Sequence, residues 1–165
     1  MIDIEKIKEK IKEEGDSKEG EYRGYRYIVL RSPVGINLNG YVALPKNHTF
    51  RVGYGTSWRG HYIFRAGYGT SWCGTSWCGH SGCRVHVPEN VIDVHGGLTY
   101  SGDIEFSDGK HYCLGFDTAY SGDVWTFEYI EKHAEYRNME YVENECKRMI
   151  DQLILADRIL KGREK

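Results

Sequence analysis

"YRYIVLRSPVGINLNGYVALP", from Tyr25 to Pro45, sets the fold. Its two ends are rich in β-branched and aromatic residues at alternating positions, and Ser, Pro, Gly and Asn fill the middle. That pattern predicts a β-hairpin over residues 25–45, closed by Pro45. Downstream, VIDVHGGLTYSG (91–102) reads as a strand with a glycine break, and DIEF (103–106) continues it. SDGK then turns the chain, and HYCLGFD (111–117) pairs back. At the amino terminus Ile4, Ile7 and Ile11 fall at helical spacing among Lys and Glu, predicting an amphipathic helix over 2–14 that Gly15 stops. GDSKEGE reads as a polar linker. Late in the chain Met139, Val142, Cys146, Met149, Leu153 and Ala156 recur every three or four residues, predicting a helix of about five or six turns N-capped by Asn138. The sum is an α+β fold, an antiparallel sheet of hairpins with a long C-terminal helix and a short N-terminal amphipathic one.

At 165 residues, 40% hydrophobic and 28% charged, the chain suits a single globular domain over 1–165. No apolar run approaches the ~20 residues of a membrane helix, and the charged start lacks the apolar centre of a signal peptide. An intracellular protein without membrane contact is expected, with its odd set of five cysteines reduced.

Residues 51–86 interrupt the sheet pattern. Arg51–Gly60 (RVGYGTSWRG) recurs as Arg65–Gly74 (RAGYGTSWCG), and GTSWCG repeats at once to Gly79. We read the segment as a Gly/aromatic loop insertion lengthened by tandem duplication, with HYIF (61–64) a short strand inside it. Surface insertions cost little free energy. Cys73, Cys78, His80, Cys83 and His86 carry the ligand types that zinc takes, but their spacing matches no standard site, and Arg59 replaces the cysteine in the first copy. We expect neither a bound metal nor any other cofactor; a zinc ion, if held, would take its ligands from those five.

Charge is segregated. Between Tyr22 and Pro88 there is no Asp or Glu, while Arg23, Arg26, Arg31, Lys46, Arg51, Arg59, Arg65 and Arg84 give that span +8 in a chain of net charge −2. Such a span suits an anionic partner, with Arg51, Arg59 and Arg65 interleaved with stacking Tyr and Trp. It equally suits docking against the chain's own acidic segments or a second copy, so a homo-oligomer is compatible with it.

Only one constellation resembles a chemical centre. His95-Gly96-Gly97 lies in or beside a strand, Asp117 closes the next one, and Asp123 follows six residues later. One imidazole and two carboxylates can bind a metal or exchange protons, and Gly-Gly amides can receive an anion or oxyanion. With His48 these residues form the candidate ligand-binding set. No nucleophile elbow, zincin, phosphate-loop or dinucleotide motif accompanies them, and a glycine bulge that merely shapes the sheet explains the same residues.

GYVALPKNH (40–48), DVHGGLTYSG (93–102) and LGFDTAYSGD (114–123) resemble a family of small uncharacterised proteins encoded by phages and prophages, and Tyr141–Cys146 resembles the start of its late helix. The likeness spans roughly 22–50 and 91–155. Family members carry a shorter loop where the GTSW repeats stand, and tend to have His where this chain has Tyr120. The resemblance implies a phage accessory protein in the host cytoplasm. The +8 span favours a non-enzymatic binding protein for a nucleotide-like ligand, a nucleic acid or an acidic host protein, and the phage resemblance adds interference with host defence as its role. The alternative is a small hydrolase or transferase using the His/Asp site around the HGG motif.

Overall fold

The computed structural model describes residues 3–51 and 88–163. Helix α1 (Ile4–Glu14) is followed by three strands, β1 (Ser17–Tyr22), β2 (Tyr25–Arg31) and β3 (Leu38–Ala43). A single turn of helix, α2 (Pro88–Val91), precedes β4 (Tyr100–Phe106), β5 (Gly109–Asp117) and the long helix α3 (Met139–Arg163). The strands form one antiparallel sheet in the order β1-β2-β3-β5-β4. The α+β architecture is the expected one.

Three details differ from the sequence reading. The segment taken as a polar linker supplies β1, which pairs along its whole length with β2. Its turn, Arg23-Gly24, has φ of +50° and +80°, the doubly left-handed geometry that matches the twist of a two-residue hairpin. Residues 91–99 are not strand: α2 and a loop occupy them, so β4 starts at Tyr100. Finally, α3 runs 25 residues, about seven turns at 3.6 per turn. Asn138 does cap it, its Oδ1 accepting the Tyr141 N–H at 2.9 Å.

Alternation along the strands builds two apolar layers. Tyr27, Val29, Leu38, Val42, Leu114 and Phe116 face α3, where Val142, Cys146, Met149, Ile150 and Leu153 meet them in the main core. Gly40 makes the close approach feasible, since a Cβ there would lie 2.5 Å from the Phe116 ring and 2.8 Å from Cys146 Sγ. On the opposite face Ile28, Ala43, Phe106 and Cys113 form a second cluster, flanked by Leu30, Tyr41 and Ile104. The sheet curls around this cluster. Ser107, in the β4–β5 turn, donates its N–H to Glu19 of β1 at 2.7 Å, and Arg26 of β2 pairs with Asp108 and stacks on Phe106.

Polar bolts fasten the helices. Glu143, buried on α3, accepts the Tyr27 hydroxyl at 2.9 Å and Lys18 Nζ at 2.6 Å, tying helix to β1 and β2. Burial pushes its carboxyl up, but those two bonds outweigh burial and hold it below the ordinary carboxylate value. Arg31 donates to the Ile36 and Gly15 carbonyls and to the Tyr136 hydroxyl. Tyr136 in turn donates to Glu14, which accepts the Met139 N–H that opens α3. One buried network thus joins α1, β2 and α3.

The carboxylate-free span therefore meets acids from outside itself. Arg23 pairs with Asp151 at 2.6 Å, Arg26 with Glu19 and Asp108, and Arg31 with Asp16 at 3.1 Å. Arg51 donates to the Leu44 carbonyl and lies over the Tyr112 ring. Arg59, Arg65, Arg84 and the strand expected at HYIF lie outside the described residues. Among the described residues no helix is long and apolar enough to cross a membrane.

Candidate functional site

The loop between α2 and β4 is pinned at both ends. Ile92 and Val94 are buried in the core, and the Thr99 N–H donates to the Gly115 carbonyl of β5. Between them the chain turns at Gly96 and Gly97, with φ of +65° and +85°, and Gly97 N–H closes the turn on the Val94 carbonyl. Gly96 has a second duty. The Tyr120 ring lies against its Cα so closely that a Cβ would sit 1.9 Å away. The turn presents His95, whose own N–H is anchored by Glu145 of α3 at 2.9 Å.

Both nitrogens of the His95 ring are engaged. Nε2 lies 2.6 Å from Asp123 Oδ2 and Nδ1 lies 2.8 Å from the Tyr141 hydroxyl. A carboxylate can only accept, so the partners assign the proton of the neutral ring to Nε2. Nδ1 then accepts the Tyr141 O–H. Asp123 is itself fixed: it accepts Arg137 Nε at 2.9 Å and the Tyr120 N–H at 3.2 Å, and its side chain is 2% exposed. The loop that carries it is held by a two-residue parallel bridge to Glu135, and Arg137 also pairs with Glu135.

Aromatic rings wall the imidazole. Tyr120 and Tyr141 both meet it edge-on, at centroid distances of 5.8 and 5.6 Å. The Arg137 guanidinium lies over the Tyr141 ring at 4.9 Å. Burial, with Asp117 and Asp123 nearby, pushes the Tyr120 phenol up to about 12. Burial and then Glu145 raise Tyr141 as well, with Arg137 opposing. The chain Tyr141–His95–Asp123–Arg137 can pass a proton from a phenol to an imidazole whose cation would be stabilised by a fixed carboxylate.

The structure brings together His95, Gly96 and Asp123 from the sequence-derived set. Asp117 plays a local part, accepting the Thr99 hydroxyl at 2.9 Å and the Ala119 N–H at 3.1 Å where β5 ends. His48 is elsewhere: its Nε2 bonds the Leu153 carbonyl, and its Nδ1 accepts the Phe50 N–H at 3.1 Å. Leu153 is twelve residues along α3 from Tyr141, about 18 Å at the helical rise. His48 is thus a buried fastener, and burial lowers its basicity. Cys73, Cys78, His80, Cys83 and His86 lie outside the described residues. Among the described residues no three His, Cys, Asp or Glu side chains are placed to hold a metal ion.

Sequence reasoning missed Arg137, Tyr141 and Glu145. Tyr141 and Glu145 stand four residues apart and so share one side of the first turns of α3, a spacing visible in the sequence, whereas Arg137 precedes the helix and carries no such signal. No protein-family model, curated protein or solved structure matches the chain.

Proposed function

We propose that the chain is a small group-transfer enzyme, a hydrolase or transferase, whose acid–base centre is the His95–Asp123 pair. One observation carries this reading: His95 is clamped between a buried carboxylate at 2.6 Å and a phenol at 2.8 Å. A histidine that only shaped a bulge would not need a carboxylate held in turn by Arg137 and a backbone N–H. Positioned acid–base groups contribute about 100-fold or more to a rate. The test is release of p-nitrophenolate from p-nitrophenyl acetate and p-nitrophenyl phosphate by the full chain, by His95→Gln and by Asp123→Asn. Turnover of either compound that falls about 100-fold in both variants is expected. No turnover, or turnover equal in all three proteins, overturns the reading.

A second reading keeps the chain as a phage or prophage accessory protein that binds an anionic partner. Its support is the carboxylate-free span, which is a property of the sequence. Against it, Arg23, Arg26 and Arg31 are already occupied by the protein's own acids, as docking within the chain requires. Retention on a heparin column that steepens as salt is lowered, and weakens in an Arg51→Ser, Arg59→Ser, Arg65→Ser variant of unchanged stability, is the outcome that would favour it.

A further inference from the structure

Both ring nitrogens of His95 already have partners within the protein, so the imidazole is not the group that meets a substrate first. His95 and Asp123 have their remaining positions filled by protein partners, which leaves the Tyr141 hydroxyl as the group of the relay that can meet a substrate. Building on the acid–base reading, we infer that Tyr141 is a nucleophile and that its oxygen accepts an acyl group from a neutral ester.

The geometry is that of an activated hydroxyl. Its proton points at Nδ1 of a histidine whose other nitrogen is backed by a buried carboxylate, one recurrent order of parts by which a base turns a weak oxygen nucleophile into a strong one. Tyr141 sits in the first turn of α3 and is half-buried, while its His95 partner is 14% exposed, so the pair lies near the surface rather than deep in the core. Arg137, over the ring at 4.9 Å, favours the phenolate that forms during attack. Resting Tyr141 keeps its proton because burial and Glu145 oppose the anion, and a base is therefore required. The surroundings also bear on the substrate. Asp123 and Glu145 border the site, and each is paired with an arginine, Arg137 at 2.9 Å and Arg148 at 3.0 Å. Charge at the site is thus balanced within the protein, and an uncharged ester adds no charge that would need a partner there.

The step balances. Tyr141 Oη forms a bond to the acyl carbon, the bond from that carbon to the leaving oxygen breaks, and the phenol proton passes to His95 Nδ1 and on to the leaving oxygen. Water, deprotonated by the same nitrogen, then cleaves the aryl ester and restores Tyr141.

The experiment mixes the full chain with p-nitrophenyl acetate, quenches with acid and maps acetyl groups by peptide mass spectrometry. The expected result is one acetyl group on Tyr141, absent in Tyr141→Phe and formed at least about 100-fold more slowly in His95→Gln. Tyr141→Phe retains the ring under Arg137, so its thermal midpoint should change little. Acetyl groups scattered over lysines and tyrosines at rates indifferent to His95 overturn the inference, and the mapping on the unaltered chain alone can show this. If p-nitrophenolate release depends on His95 but survives Tyr141→Phe, His95 acts on the ester directly. The nucleophile assignment then fails while the acid–base reading stands. Release insensitive to both substitutions defeats both.

Discussion

His48→Ala should destabilise the fold by about 4 kcal/mol, and the figure can be built from its neighbours. The side chain is 1% exposed and bridges the segment after β3 to the second half of α3. Removing it strands the buried Phe50 N–H, at a cost of about 1–3 kcal/mol, and deletes the bond to the Leu153 carbonyl, worth about 1 kcal/mol. Lost packing against the Tyr25 and Phe50 rings adds about 1–2 kcal/mol, at the lower end of large-to-small costs. The loss is not total. Thr49 remains tied to Asp157 by both its N–H and its hydroxyl, at 2.8 and 2.7 Å. Urea denaturation measures the change directly, and a thermal midpoint lower by roughly 8–16 °C should accompany it. His48→Phe, which fills the space but makes neither bond, should recover only the packing part and lose about 3 kcal/mol. A change under about 1 kcal/mol in His48→Ala would refute the reasoning and return His48 to the list of groups kept for a ligand.

Acid should act in two stages. His48 is less basic folded than its ordinary 6.5, so the unfolded chain takes up a proton that the fold refuses, and stability falls as pH drops below about 6.5. Glu143 and Asp157 are held below their ordinary 4.5 and 3.8, so their contribution is present above those values and is lost as pH falls through that lower range. Stability measured from pH 8 to 3 should show both stages, and His48→Phe should lack the upper one. Gly40→Ala should cost about 2 kcal/mol, because its Cβ must displace the Phe116 ring or lift α3 from the sheet; an unchanged urea midpoint would contradict this packing.

The hairpin was legible because Tyr25–Leu44 alternates against two buried faces, and the late helix because its apolar residues repeat around a single stripe. β1 was not, for a physical reason: SKEGEY is an edge strand whose residues are exposed or half-buried, so it carries no apolar rhythm. VIDV misled in the opposite sense. Ile92 and Val94 alternate as a strand would, yet they anchor a loop, and alternation alone cannot tell a buried loop from a strand. At the site, His95 and Asp123 could be suspected from residue type. Arg137 and Tyr141 could not be joined to them without the tertiary fold, because the His95–Tyr141 bond closes 46 residues of chain.

The central claim is that His95 is oriented by Asp123 and receives the hydroxyl proton of Tyr141. Long-range proton–nitrogen NMR of the chain labelled with ¹⁵N in its histidine rings, recorded at mildly alkaline pH, reads the tautomer of His95 without any substrate. The account predicts the Nε2–H form, with Nδ1 showing the shift of an unprotonated acceptor and moving when Tyr141 is replaced by Phe. An Nδ1–H ring, or an averaged pair of signals indifferent to Asp123→Asn and to Tyr141→Phe, would contradict it.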